Sequence, residues 1–229
     1  RLRFGRSASS ALAIETHSAF EGRFEVPIIE TMGLTETAAQ ILANPLPPSV
    51  RKIGSPGVGY GNAVQIMTPQ LTEAVRGTEG EIAVRGPNVM LEYLHNPDAT
   101  ADTFAGDWLR TGDLGRMDAD GYVFVTGRLK ELIIKGGENI APREIDEVLY
   151  GLSDVVEAAA FARPCLQYGE RVEAAVALIV GSTLSEAELI SRCTERLGAF
   201  KSPEKVHILK ELPKGPSGKI QRLKLAELL

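Results

Sequence analysis

The chain has 229 residues, of which 44% are hydrophobic, and a formal net charge of −5, which is ordinary for a globular protein of one large domain or two small ones. Residues 1–127 carry 10 Lys and Arg against 15 Asp and Glu, and residues 128–229 carry 15 of each, so a nucleic acid is not the expected partner. The apolar runs are too short to span a membrane, and the two cysteines have no metal-ligand spacing, so we expect no transmembrane segment and a reducing, cytoplasmic compartment.

The chain opens at Arg1, without an initiator Met and in residues typical of the middle of a strand, so we expect the native N-terminus to lie upstream. Residues 11–20 predict a helix and residues 26–29 a short buried strand. That strand runs into residues 30–37, which we interpret as a small-residue loop placing the Thr35 hydroxyl beside the Glu36 carboxylate. A strand ending in such a loop is the usual layout of a binding site at the edge of an α/β sheet.

Residues 54–126 predict a small, twisted, β-rich subdomain. The glycine-rich residues 54–61 are interpreted as a tight corner rather than a phosphate-binding loop, because no clear helix follows and a lone Gly-x-Gly is a weak motif. Residues 118–121 carry the hairpin signal Asp-Ala-Asp-Gly. A short helix is predicted over residues 97–104, and strands are predicted over residues 63–67, 81–85, 108–110, 114–117 and 122–126.

After residue 129 the pattern changes to alternating strands and helices, which predicts an α+β domain of about 100 residues. Pro142 suits the first turn of a helix, and Ser185 with Glu188 forms a capping box for a second one. Cys193 has the spacing of a core side chain of that helix rather than of a nucleophile. Strands are predicted over residues 132–134, 155–161, 172–180 and 206–209, and helices from Pro142, over residues 186–197 and over residues 223–229.

Four groups of residues have the chemistry of a site. Thr35 and Glu36 suit a phosphate oxygen and a hard cation such as Mg²⁺, although they would also suit a helix cap. Asp113, after a glycine in a predicted turn, suits a pair of ribose hydroxyls, or its own turn. Arg128 with Lys130, and Lys219 in a loop with two glycines, suit an anion, although each taken singly is better explained as part of a solvated charged surface.

The order of the motifs is more specific than any one of them. Met-Gly-Leu-Thr-Glu-Thr at residues 32–37 is followed by Trp-Leu-Arg-Thr-Gly-Asp-Leu at 108–114, Gly-Arg-Leu-Lys-Glu-Leu-Ile-Ile-Lys-Gly-Gly-Glu-Asn-Ile at 127–140 and Leu-Pro-Lys-Gly-Pro-Ser-Gly-Lys-Ile at 212–220. This series resembles the adenylate-forming superfamily of acyl-CoA synthetases, luciferases and peptide-synthetase adenylation domains. The resemblance implies a mixed α/β and α+β fold, with residues 1–128 as the tail of a large AMP-binding domain and residues 129–229 as a mobile C-terminal lid domain.

The resemblance also implies a two-step reaction. A carboxylate attacks the α-phosphate of ATP to give an acyl-adenylate and pyrophosphate, with Mg²⁺ present, and a thiol, usually that of coenzyme A, then displaces AMP. The loop of residues 7–12, with Ser9, would border the adenine. Met32 and Gly33 would lie at the nucleotide, with Met32 where relatives often carry an aromatic ring.

Further roles follow from matching positions. Thr35 would contact phosphate, Glu36 would bind Mg²⁺, and Asp113 with Arg128 would bind the ribose. Lys219 would lie between the substrate carboxylate and the α-phosphate, on a loop able to fold over the site and withdraw. Lys130 would be the hinge between the adenylation and thioester-forming poses, and Gly137 would leave room for the thiol arm of CoA.

The family's Ser/Thr/Gly-rich phosphate loop is missing from the sequence. We therefore expect the chain to be the C-terminal part of a longer enzyme, unable to adenylate by itself. The alternatives are an adenylation domain that loads a carrier protein and a non-catalytic relative that only binds ligand. The acid is a small carboxylic acid, in our interpretation a dicarboxylate, because the motifs look most like the oxalate–CoA ligase branch; medium-chain, long-chain and aromatic acids are the alternatives. Lys219 resembles the lysine that acetyltransferases modify in relatives. The oligomeric state is not predicted.

Overall fold

A computed structural model describes residues 2–216 and 218–229. Of the expected mid-strand start, Arg1 lies outside the described residues, and the expectation is wrong for residues 2–4, because the first strand begins only at Gly5. Ser217 of the Lys219 loop also lies outside the described residues. The chain divides into two compact units, the first ending at Leu129 and the second beginning at Lys130. Among the described residues, no helix is both long and apolar enough to cross a membrane. The mixed α/β and α+β fold class is confirmed by the two units described next.

The first unit holds two small sheets and two helices. Its elements are β1 (Gly5–Ser7), α1 (Ile14–Phe24), β2 (Ile28–Leu34), a 3₁₀ helix (Thr35–Thr37), β3 (Ala39–Ala43), β4 (Val58–Gly59), β5 (Ala63–Met67), β6 (Gly80–Arg85), α2 (Pro97–Thr103), β7 (Phe104–Ala105), β8 (Trp108–Met117) and β9 (Val123–Arg128). One sheet has the order β1-β2-β3-β4, and the other has the order β5-β6-β8-β7 with β9 paired to β8. Strands β1 and β2 are parallel and α1 connects them, whereas the second sheet is antiparallel.

The predicted loop at residues 30–37 is wrong for its first half. Strand β2 continues through Met32 and Gly33 to Leu34, because β3 pairs with it in antiparallel register from Thr31–Ala43 to Leu34–Ala39. The ladder is irregular between Met32 and Gly33. The missing signal was β3 itself, a partner strand that satisfies the backbone groups of β2. Only the single turn of 3₁₀ helix after Leu34 leaves the sheet.

Residues 54–61 form the tight corner predicted from their glycines. Residues 54–57 are buried, and a Cβ on Gly57 would lie 2.0 Å from the backbone of Ala43. The Gly57 carbonyl accepts the amide of Val123 at 2.9 Å. Only glycine permits this approach of backbone to backbone, so the segment joins β3 to β9 instead of exposing amides to a phosphate.

The second unit packs helices on a mixed, mostly antiparallel sheet. Its elements, after a 3₁₀ turn at Leu129–Glu131, are β10 (Ile133–Lys135), β11 (Glu138–Ile140), α3 (Pro142–Tyr150), β12 (Val155–Cys165), β13 (Gly169–Leu178), α4 (Glu186–Lys201), β14 (Lys205–Leu209) and α5 (Arg222–Leu228). The sheet order is β11-β10-β13-β12, and β14 pairs in parallel with β13. Helices α3 and α4 cover the core of one face, with Ile145, Leu149 and Leu189 fully buried.

Several local predictions in this unit are confirmed. Pro142 occupies the first turn of α3, and the Ser185 side chain accepts the Glu188 amide while the Glu188 carboxylate accepts the Ser185 amide at 2.9 Å. Cys193 is fully buried in the core of α4, and burial raises the pKa of its thiol to about 11. A thiol with that pKa is protonated at neutral pH, so Cys193 is a packing residue rather than a nucleophile.

Candidate functional site

The 3₁₀ turn after β2 holds Thr35 and Glu36 at the end of a strand. Thr37, which is fully buried, closes this turn: its hydroxyl donates to the Leu34 carbonyl at 3.0 Å and accepts the Leu34 amide at 3.2 Å. The cap that we considered for Thr35 and Glu36 is therefore made by Thr37. Thr35 is exposed and Glu36 is half-buried, so both side chains remain available at the strand end.

A loop from a distant part of the chain holds Glu36 in place. The Glu36 carbonyl accepts the Met90 amide at 2.7 Å, and Asn88 Nδ2 donates to the Thr37 carbonyl at 2.7 Å. The Tyr93 hydroxyl donates to Glu36 Oε1 at 2.8 Å. Burial, and then the contact with the Glu36 carboxylate, raise the pKa of Tyr93, so the phenol stays a donor. Among the described residues, no partner bonds the second carboxylate oxygen, Oε2.

The proposed adenine contacts fall on separate elements of the first unit. Met32 lies in β2, opposite Leu42 of β3, and packs partly buried against the apolar core. Gly33 follows it at the strand irregularity and is exposed. Ser9 lies in an exposed bend after β1 and adopts a left-handed backbone, with φ of 76°.

Asp113 lies inside a strand, which corrects the predicted turn between two short strands. Strand β8 runs without interruption from Trp108 to Met117, and Gly112, with φ of 73°, absorbs an irregularity in the ladder. Asp113 is opposite Arg128 of β9, and Arg128 Nε donates to Asp113 Oδ1 at 2.6 Å. The Asp113 side chain is 12% exposed and that of Arg128 52%, so the pair opens to solvent on its cationic side.

Glu81 supports this pair and was missed by sequence reasoning. Its carboxylate accepts the Gly112 amide at 2.9 Å through Oε1 and Arg110 Nε at 2.8 Å through Oε2. Thr111 completes the arrangement, since its hydroxyl donates to the Ile82 carbonyl at 2.8 Å and accepts the Asp113 amide at 3.1 Å. Strand β6 thus fixes the backbone on both sides of Gly112, and with it the direction of Asp113.

In the second unit, Lys130 and Gly137 lie close together in the chain. Lys130 is exposed in the 3₁₀ turn at the unit boundary. Gly136 and Gly137 form the two-residue turn between β10 and β11, with φ of 59° and 86°, which is the backbone of a type I′ hairpin. A Cβ on Gly136 would lie 3.4 Å from Tyr168 Cδ1, whereas one on Gly137 would meet no described atom within 4 Å.

Lys135, directly before this turn, is a buried lysine that sequence reasoning did not single out. Its side chain is 5% exposed, and Nζ donates to Glu204 Oε1 at 3.0 Å. The ammonium also lies 5.6 Å and 5.3 Å from the ring centroids of Tyr168 and Phe200, within the range of cation–π attraction. This enclosure fixes one end of the glycine turn.

Lys219 lies on a short, hydrogen-bonded loop. Lys214 and Ile220 form a β-bridge, the Gly215 amide donates to the Lys219 carbonyl at 2.8 Å, and the Gln221 amide donates to the Pro213 carbonyl at 2.8 Å. The Lys219 side chain itself is exposed. Of the predicted site residues, Asp113 and Arg128 are therefore brought into direct contact, and Thr35 and Glu36 share one turn.

Comparison with known proteins matches both units. The family model for AMP-binding enzymes matches residues 1–94, and that for the C-terminal domain of AMP-binding enzymes matches residues 144–219. Sulfoacetate–CoA ligase from Cupriavidus necator is 50% identical over 225 residues, covering 98% of this chain and 44% of that protein. Oxalate–CoA ligase from Saccharomyces cerevisiae is 40% identical over 228 residues, covering 99% of this chain and 42% of that protein.

A solved structure of a related protein has the same fold. ATP-bound MatB from Rhodopseudomonas palustris superposes with a TM-score of 0.93 at 34% identity, covering 99% of this chain and 45% of that one. The chain thus spans somewhat less than half the length of the proteins that it matches.

Proposed function

Because the chain belongs to the family of AMP-binding enzymes, we propose that it supplies part of an ATP-dependent, AMP-forming acid–thiol ligase. In that reaction a carboxylate oxygen attacks the α-phosphorus of ATP, pyrophosphate leaves, and a thiol then displaces AMP from the acyl carbon to give a thioester. The observation that carries the proposal is the 50% identity to a sulfoacetate–CoA ligase along 98% of the chain. The proposed thiol is that of CoA, since the curated relatives reported above are CoA ligases.

In this proposal Asp113 and Arg128 bind the ribose. A carboxylate accepts hydrogen bonds from two neighbouring hydroxyls, and Arg128 Nε, at 2.6 Å, holds its Oδ1 in one direction. The anchorage of Gly112 to Glu81 supports this role, because a strand that is fixed on both sides presents a preorganised acceptor. Met32, Gly33 and Ser9 border the adenine.

Thr35 and Glu36 handle the phosphates. The exposed hydroxyl of Thr35 donates to a phosphate oxygen, and Glu36 binds Mg²⁺, which when bound would offset charge on the phosphates. The residues fit such a site because Mg²⁺ commonly uses only one or two protein carboxylates, with phosphate oxygens and water as its other ligands. A single carboxylate is therefore enough, although the described part of the chain contains no cluster of three or more His, Cys, Asp or Glu able to hold a metal. Tyr93 orients the Glu36 carboxylate by bonding only Oε1.

The second unit contributes Lys219, Lys130 and Gly137. Lys219 offsets the negative charge that develops as the carboxylate attacks phosphorus, which is electrostatic catalysis by a positioned cation. Lys130 is the hinge, and Gly137 leaves the space that a thiol arm needs. Acetylation of Lys219 would remove its charge and stop the adenylation step.

The acid that we propose carries a second anionic group. This follows from the names of the relatives, since sulfoacetate has a sulfonate beside its carboxylate and oxalate has a second carboxylate. The test is an assay of the full-length protein with ATP, Mg²⁺ and each acid in turn, scored by AMP release with and without CoA. Sulfoacetate and oxalate are compared with 3,3-dimethylbutanoate, which matches the tetrahedral shape of sulfoacetate without its second charge.

We expect the two dianions to be used and 3,3-dimethylbutanoate to be poor. Equal turnover of 3,3-dimethylbutanoate contradicts the acid class but leaves the ligase proposal intact. Acid-independent AMP release, or no release with any acid, contradicts the ligase proposal itself. Residues 1–229 alone are expected to show no acid-dependent exchange of pyrophosphate into ATP.

A further inference from the structure

The Lys219 loop is tied to strand β12 on both sides, by residues that neither the sequence motifs nor the proposed chemistry include. We propose that Glu157 and Arg222 are positioning residues that hold residues 212–216 and 218–221 as a fixed part of the second unit. This inference rests on the proposed function only for the role of Lys219, because the restraint of the loop is a property of the second unit itself.

The first tie is at the N-terminal side of the loop. Glu157 Oε2 accepts the Leu212 amide at 3.0 Å, and its Oε1 pairs with the ammonium of Lys214. The ladder between β12 and β13 is irregular between Val155 and Glu157, an irregularity of the kind that redirects a side chain. Although burial opposes it, the contact with Lys214 keeps the pKa of Glu157 below its usual value, so the carboxylate is charged at neutral pH.

The second tie is at the C-terminal side. Arg222 begins α5, three residues after Lys219, and its side chain is 16% exposed. Nη2 donates to Asp146 Oδ2 of α3 at 2.7 Å, Nε donates to Glu131 Oε2 at 3.1 Å, and Nη1 donates to the Ala160 carbonyl of β12. Asp146 is itself bonded to β12, since its Oδ1 accepts the Ala160 amide at 2.7 Å.

Apolar contacts reinforce both ties. Leu212 before the loop and Leu225 after it are buried, at 2% and 0% exposure, in one cluster with Phe161 of β12. Together with the Gln221–Pro213 backbone bond, these contacts restrain both ends of the loop, while the Lys219 side chain stays exposed. A segment restrained at both ends has few conformations to lose when it orders against a substrate.

Arginine is required at position 222 because one group must reach three acceptors on different elements. The planar guanidinium offers several N–H donors in a fixed arrangement, whereas a lysine ammonium is a compact point charge. Arg222→Lys should therefore show the same rise in hydrogen exchange of the loop, and the same loss of adenylation, as Arg222→Gln. A role that needed only the positive charge would be restored by lysine.

The first experiment measures the loop without using activity. Hydrogen exchange is followed in the full-length protein at the Gly215 and Gln221 amides, which are bonded within the loop, for wild type, Glu157→Gln, Arg222→Gln and Arg222→Lys. Arg192→Gln and Glu195→Gln are the matched controls, because those residues form an exposed pair in α4. We expect exchange at the loop amides to rise about tenfold or more in the Glu157 and Arg222 variants, as in local opening, and to be unchanged in the controls.

The second experiment separates the two half-reactions of the full-length enzyme. Adenylation is measured from acid and ATP, and thioester formation from supplied acyl-adenylate and CoA. Misplacing Lys219 should lower adenylation by about 10²-fold and leave thioester formation within about twofold. A general folding defect would lower both steps equally, and Glu157→Gln provides the milder variant if Arg222→Gln folds poorly.

Unchanged loop exchange in Glu157→Gln and Arg222→Gln, or an equal loss of both half-reactions with intact exchange elsewhere, would overturn the positioning role. Restoration by Arg222→Lys would also contradict it. If wild-type enzyme forms no acyl-adenylate from any acid, the proposed function fails, while the exchange measurement still decides whether Glu157 and Arg222 hold the loop.

Discussion

Replacing Glu21 with glutamine should destabilise the first unit in a pH-dependent way. Glu21 lies in α1 and holds the start of β2, the strand that leads to Thr35 and Glu36. Its carboxylate accepts the Ile28 amide at 2.6 Å and both Nη atoms of Arg51, at 2.6 and 3.1 Å. His17 Nε2 lies 2.9 Å away. The side chain is 20% exposed, so solvent screens these contacts only partly.

The magnitude follows from the pKa. Arg51 above all, with the Ile28 amide and His17, lowers the pKa of Glu21 from 4.5 to about 2, against the opposing effect of burial. One pKa unit corresponds to about 1.4 kcal/mol, so the ionised carboxylate stabilises the folded unit by about 3 kcal/mol. Because the folded pKa is depressed, this contribution is fully present above about pH 5 and is lost as the pH falls towards 2, with about 1.4 kcal/mol remaining at pH 3.

The assay uses the one tryptophan of the chain. Trp108 lies in β8 of the first unit, with the Arg85 guanidinium 4.8 Å from its ring, so its fluorescence reports the unfolding of that unit alone. Urea unfolding of wild type and Glu21→Gln is followed at several pH values between 3 and 7. Glu79→Gln is the matched control, because Glu79 is exposed in the same unit.

At pH 7 the free energy of unfolding of Glu21→Gln should be lower than that of wild type by about 2–3 kcal/mol. This difference should shrink steadily below pH 4.5. A difference that stays constant across this range would show that glutamine disturbs packing rather than charge. A difference below about 0.5 kcal/mol at pH 7, the size typical of a surface substitution, would refute the reasoning from the Arg51 contact.

Three further outcomes are expected in the full-length protein. Tyr93→Phe removes the donor that orients Glu36 and should weaken Mg²⁺ binding by about 10-fold. This should be seen as a raised Mg²⁺ requirement with unchanged thermal stability, and an unchanged Mg²⁺ titration would contradict the role of Tyr93. Gly137→Ala should slow thioester formation more than adenylation. Gly136→Ala, which strains the same turn, is the control, and equal effects of the two substitutions on thioester formation would mean that Gly137 is needed only for the backbone of the turn and not for the space that it leaves. Lys219→Gln, a mimic of acetyl-lysine, should abolish adenylation and spare thioester formation from acyl-adenylate, and a retained rate from free acid and ATP would disprove its role.

Local signals were sufficient for much of the second unit. The capping box of Ser185 and Glu188 and the helix start at Pro142 each depend on residues within one turn, so the sequence predicts them directly. The burial of Cys193 follows from the spacing along the same helix. These features need no knowledge of which strand pairs with which.

Features that depend on distant partners were missed or misread. Glu36 and Tyr93 are 57 residues apart, and Glu81 lies 31 residues before the Gly112 amide that it accepts. Strand β8 continues through Gly112 because the Glu81 carboxylate of β6 accepts the Gly112 amide. No sequence pattern near Gly112 reveals this distant partner. Likewise, Arg222 finds Asp146 across 76 residues, so the motif identifies Lys219 but not the residues that hold its loop.

The boundary between Leu129 and Lys130 has a practical consequence for protein engineering. The Asp113–Arg128 pair is complete just before it, and the Glu131–Arg222–Asp146 network begins just after it. A splice at this point would leave both networks within the segment that encodes them. Recombining either segment with that of a related protein would therefore exchange a whole unit together with its supporting contacts, and Leu129/Lys130 is the junction at which we would build such hybrids.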